Sequence, residues 1–100
     1  MARDTFAYRQ VAVQSVQQGG RVEIHPVPGQ AYSSELNVQC SRQLCDTSVY
    51  PLGTCFLLSA KLTDRLGGMP YLYVWHGDPV QVLSPKQTKT FLEERKRLRI

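Results

Sequence analysis

Cys55-Phe56-Leu57-Leu58-Ser59-Ala60-Lys61-Leu62-Thr63 and, after a glycine-containing loop, Tyr71-Leu72-Tyr73-Val74-Trp75-His76 are the stretches on which the fold turns. Successive side chains of a strand point to opposite faces. The first stretch therefore puts Phe56, Leu58, Ala60 and Leu62 on one side and Cys55, Leu57, Ser59, Lys61 and Thr63 on the other. The second divides into Tyr71, Tyr73 and Trp75 against Leu72, Val74 and His76. Asp64-Arg65-Leu66-Gly67-Gly68-Met69-Pro70 between them reads as a hairpin loop.

Upstream, Pro51-Leu52-Gly53 introduces the first strand as a turn. Residues 36–45 fit two periods, Leu36, Val38 and Cys40 alternating as in a strand, or Leu36, Cys40 and Leu44 recurring as in a helix. Near the N-terminus, Val11 and Val13, then Gln17-Gln18-Gly19-Gly20, then Val22 and Ile24 suggest a hairpin. The rival is a helix over residues 4–18 capped by Gly19, with Tyr8, Val11, Ala12 and Val16 on one face; the strand is preferred. His25-Pro26-Val27-Pro28-Gly29 ends that hairpin, because proline cannot donate to a central ladder.

Downstream, Gly77-Asp78-Pro79 turns the chain into a short strand, Val80 to Leu83. Ser84-Pro85-Lys86-Gln87 then predicts a helix start, with Ser84 as N-cap, Pro85 at the first helical position and Gln87 closing a capping box. Short strands between Gly and Pro turns predict an α+β fold of mainly antiparallel β structure: a small barrel or twisted sheet, OB-like, with a C-terminal basic α-helix. One domain spanning residues 1–100 is expected from the length. The basic helix occupies residues 86–100, and its narrow apolar stripe of Phe91, Leu92, Leu98 and Ile100 leaves it able to fray.

The chain carries a formal net charge of +4, all of it in the last segment. Residues 1–85 balance; residues 86–100 set Lys86, Lys89, Arg95, Lys96, Arg97 and Arg99 against Glu93 and Glu94. Clustered positive potential attracts nucleic acid, acidic proteins or anionic lipid. Cations in a last helical turn also answer the helix dipole, and the two glutamates pair along the helix. No apolar run nears the roughly 20 residues of a membrane span. Together with three cysteines, too few to pair completely, this gives the expectation of a cytoplasmic protein with reduced thiols and no membrane partner.

Tyr71, Tyr73 and Trp75 are the most unusual local feature. Side chains two apart on a strand lie about 7 Å from one another, so the rings form a ladder. Rings beside a cation suit single-stranded nucleic acid, whose bases stack on aromatic faces while Lys and Arg meet phosphates. Composition alone favours the opposite placement, in the core, since large aromatics are highly buried on average.

Other chemistry is weakly signalled. Cys40, Cys45 and Cys55 with His25 or His76 supply the ligand types of a Cys3His zinc site, without the CxxC spacing that makes such a site recognisable. A cysteine with His76 and Asp78 has nucleophile-and-base residue types but no activating surroundings. Asp64 and Asp78 are loop carboxylates able to meet on a divalent ion. No phosphate-loop, dinucleotide or hydrolase-elbow motif is present in the sequence.

The sequence thus leads to non-enzymatic nucleic-acid binding without a cofactor, with Tyr71, Tyr73 and Trp75 stacking bases and Lys61, Arg95, Lys96, Arg97 and Arg99 contacting phosphates. A protein-interaction module or homodimer using the aromatic strand as its interface is the alternative. A small metal-dependent hydrolase is the third.

Overall fold

A computed structural model describes residues 8–30, 32–63, 68–75 and 79–98, with side chains through Glu94. The first described segment is a strand, β1 (Tyr8–Gln18), joined to β2 (Arg21–Pro26) by the two-residue loop Gly19-Gly20. Both loop glycines have positive φ, 59° and 79°. That combination belongs to the tight turn whose twist matches a hairpin, and it excludes the helical alternative for residues 8–18. Gln18 pairs with Arg21 and Val13 with Pro26.

Past Pro26, Val27 N–H donates once more to the Ala12 carbonyl at 2.9 Å, and the Gln30 side chain then extends the pairing. Its amide oxygen accepts from Ala12 N–H at 2.9 Å, and its nitrogen donates to the carbonyls of Ala12 and Val27 at 2.7 and 2.8 Å. The chain then passes through β3 (Val38–Gln39) and a 3-10 turn (Arg42–Cys45) capped by the Ser41 hydroxyl. The ambiguous stretch is thus strand for two residues and then a tight turn. Asp46 accepts from both the N–H and the hydroxyl of Ser48, holding the next bend. At Pro51-Leu52-Gly53 the turn forms as expected, with Thr54 N–H on the Pro51 carbonyl at 3.0 Å.

The strand β4 (Cys55–Thr63) has the bounds read from its alternation. It pairs with β1 along one edge, Gln14 opposite Cys55 through Tyr8 opposite Lys61. Its other edge is shared by two short antiparallel strands, β5 (Tyr71–Tyr73) against Lys61–Thr63 and β6 (Gln81–Leu83) against Cys55–Leu57. Both are shorter than the expected 71–76 and 80–83. A parallel pair, Val38 with Leu72 and Gln39 with Tyr73, attaches β3 to β5.

The resulting order is β2-β1-β4-β5-β3, and β2 returns beside β3, so the mixed sheet curls into a nearly closed barrel. At the seam, the His25 imidazole lies between the Ser34 carbonyl, 3.0 Å from Nδ1, and the Glu23 carboxylate, 2.9 Å from Nε2.

Two apolar clusters divide the work. The barrel interior holds Val11, Val13, Ile24, Val38, Leu44, Phe56, Leu58, Ala60, Leu72 and Val74. Tyr50 meets Phe56 edge-on, with ring centroids 5.1 Å apart. Leu62, on the same side of β4, runs past the barrel and stays 50% exposed. The second cluster lies outside the sheet, beneath the helix α1 (Pro85–Leu98): Ala12, Val27 and Leu83, with Cys55, Leu57, Phe91 and Leu92 packed against them.

The start of α1 is the capping box the sequence describes. Ser84 Oγ accepts from Gln87 N–H at 3.1 Å, and Gln87 Oε1 accepts from Ser84 N–H at 2.8 Å. Among the described residues no helix is long and apolar enough to cross a membrane.

Candidate nucleic-acid interface

The outer face of β4 is shared between two covers. Cys55 and Leu57 lie under α1, whereas Lys61 and Thr63, farther along the same face, adjoin the aromatic strand. Register sets this arrangement. Lys61 stands opposite Tyr73 and Thr63 opposite Tyr71, while Leu62 stands opposite Leu72, on the barrel side. Directly paired residues share a face, so Tyr71 and Tyr73 project outward with the lysine. Leu72 and Val74 take the core, 0% and 7% exposed.

Tyr71 and Tyr73 are half-buried and Trp75 is 37% exposed. The expectation from composition, rings as core, is corrected here. Phe56, Leu58, Leu72 and the valines already fill the interior, and the pleat leaves the aromatic row no way in.

Extending the register across the sheet adds residues the sequence did not single out. Tyr8 on β1 pairs with Lys61, and Gln39 on β3 pairs with Tyr73. One transverse row thus reads Tyr8, Lys61, Tyr73, Gln39 over four strands, a phenol on each side of the cation. No pattern local to residues 8 or 39 signals this. Only the pairing register, set by β4 from one edge to the other, brings them together.

Beside the row, Gln39, Ser41, Gln43, Tyr73, Trp75 and Val80 line an open groove of about 490 Å³, within the about 300–1,000 Å³ usual for small-molecule sites. Cys40 and Val74 add apolar surface to the lining, and among the described residues none of its side chains is charged.

The basic tail is placed only in part. Arg95, Lys96 and Arg97 fall in the last turns of α1, and Arg99 lies outside the described residues. His76, Asp64 and Asp78 lie outside them as well, and with them the histidine–aspartate and paired-carboxylate readings.

The cysteines are not brought to one point. Cys40 and Cys45 pack against the barrel interior, whereas Cys55 belongs to the cluster under the helix. His25 is engaged at both ring nitrogens. Among the described residues no three His, Cys, Asp or Glu side chains gather as metal ligands do.

Burial, with the neighbouring Cys45 sulfur adding to it, pushes the Cys40 thiol up to about 12. Burial and the Glu23 carboxylate also raise Cys45, against a smaller opposing pull from Arg42. A thiol held protonated is a poor nucleophile and a poor ligand. Their chemistry here is that of small apolar side chains.

No known family model, curated protein or solved structure matches the chain at a significant level.

Proposed function

We propose that this chain is a mainly antiparallel, OB-like barrel that binds single-stranded nucleic acid without catalysing a reaction and without a cofactor. The observation that carries it is the outward row of rings around Lys61, outside a barrel interior already filled by Phe56 and aliphatic side chains. Tyr71, Tyr73 and Trp75 stack bases, and Lys61 meets a phosphate. Arg95, Lys96, Arg97 and Arg99 draw the strand in and hold its backbone. Stacking is tolerant of sequence and cations supply the long-range attraction, the combination that single-strand binders use.

The strand order supports the OB-like reading. Five of the six described strands follow one another as β2-β1-β4-β5-β3, with β2 beside β3, a partly open small barrel of the kind that binds oligonucleotides. A cytoplasmic site of action suits three free thiols.

The test is a titration of a labelled single-stranded oligonucleotide at several salt concentrations. Each phosphate neutralised on a single strand contributes about −0.7 to the slope of log affinity against log salt. Engagement of all five cations gives a slope near −3.5 by the same relation. No mobility shift at low salt refutes the proposal.

A second reading uses the same strand as a protein interface or homodimer contact. It draws on two exposed apolar side chains, Trp75 and Val80, lining one groove. Light scattering separates the two. A mass that rises with concentration and collapses to monomer in Tyr73→Ala favours self-association.

A further inference from the structure

The groove between the end of β3, the 3-10 turn and the end of β5 has a second property. Its two glutamine amides are unspent, while their backbones are fixed. The Gln39 carbonyl accepts from Val74 N–H at 3.1 Å, extending the parallel pairing past β5. Gln43 donates its N–H to Ser41 Oγ at 3.3 Å, and its carbonyl accepts from Asp46 N–H at 3.2 Å. Neither side-chain amide makes a hydrogen bond among the described residues. Two anchored residues, each with an uncommitted side-chain donor and acceptor, therefore line one cleft together with Tyr73 and Trp75.

We infer that this groove takes one unpaired nucleobase, adenine in preference to the others, stacked against Tyr73 or Trp75 and read at its edge by Gln39 and Gln43. The inference rests on the nucleic-acid reading of the same face and adds a specificity to it. The preference follows from what the lining offers. Guanine is read best by Arg or Lys at O6 and N7, and cytosine by a carboxylate at N4; among the described residues no such side chain lines the groove. A glutamine amide sets an N–H donor beside a carbonyl acceptor, which matches the N7 acceptor and N6 donor of adenine.

The test uses fluorescence anisotropy with single-stranded octamers of deoxyadenosine, deoxycytidine and thymidine, each against the intact chain and against Gln39→Ala/Gln43→Ala. The expected result is a preference of about tenfold for the deoxyadenosine octamer, the size of one bidentate base contact. In the double variant that octamer falls to the level of the others, with deoxycytidine affinity and salt slope unchanged. Gln43→Ala alone, outside the sheet, shows a partial loss and guards against disturbed pairing at Gln39.

Equal affinity for the three octamers, with binding intact, overturns the base site and leaves the platform standing. So does a preference that survives the double substitution, since it then comes from stacking strength alone. Failure of every octamer to bind overturns the platform and the base site with it.

Discussion

Tyr73→Ala removes the ring at the centre of the proposed platform. Tyr73 stands opposite Lys61 on one side and Gln39 on the other, so its loss opens a gap between the cation and the groove. Stacking on an aromatic side chain is worth about 1–3 kcal/mol per base, and each 1.4 kcal/mol is about tenfold in affinity. The expected loss is therefore about five- to a hundredfold for a single-stranded octamer. The cost to folding is smaller. Tyr73 is half-buried on a three-residue strand, and strand propensity and cross-strand pairing are each worth up to about 1 kcal/mol.

A competition assay by anisotropy measures the loss, and a urea midpoint measured alongside shows that the variant is folded. Tyr73→Phe keeps the ring and should keep the affinity. Val49→Ala, at an exposed site outside the platform, should change nothing. Affinity of Tyr73→Ala within twofold of the native chain would refute base stacking at this face.

Phe56, fully buried in the barrel, should cost about 3–5 kcal/mol as Phe56→Ala, a large share of a small domain's stability, measured by urea unfolding. Ser84→Ala deletes the hydroxyl half of the capping box and should cost about 1 kcal/mol; alkylation of Cys55 under the loosened α1, followed by mass spectrometry, should speed up. Gly20→Ala meets no atom within 4 Å, so its cost comes from the backbone at φ 79° alone, about 1–2 kcal/mol on thermal unfolding. Cys40 ionises in the unfolded chain near the ordinary thiol value of 9.0 but in the folded chain only near about 12. The native state thus holds the proton longer, and Cys40 draws stability down as pH climbs through that window. Cys40→Ala should flatten the alkaline arm of the stability curve relative to the native chain.

Much of the sheet was legible because alternation is a local signal. The bounds of β4, the Gly19-Gly20 hairpin and the Ser84–Gln87 cap each rest on residues within a few positions of one another. Pairing between distant segments left no such trace. Val38 and Gln39 form only two rungs with β5, too short to show a period, and the parallel direction of that pair is a property of the whole chain path.

The side on which the rings lie was undecided for a related reason. Composition alone favours Tyr71, Tyr73 and Trp75 in the core, yet Leu72 and Val74 are apolar enough to form that face themselves. The choice came from β4, which puts Lys61 opposite Tyr73. Tyr8 and Gln39 joined the row only through that register. The basic tail stood out in sequence as a run of charge, yet charge alone assigns no partner.

Trp75 is the single tryptophan of the chain and stands 37% exposed beside the groove, so its emission reports on this face alone. Titrating a single-stranded oligonucleotide while following that emission tests the central claim most directly. Stacked bases should quench it along a saturable curve whose midpoint moves steeply upward with added salt. Emission that stays constant at low salt through a large excess of oligonucleotide would contradict the claim.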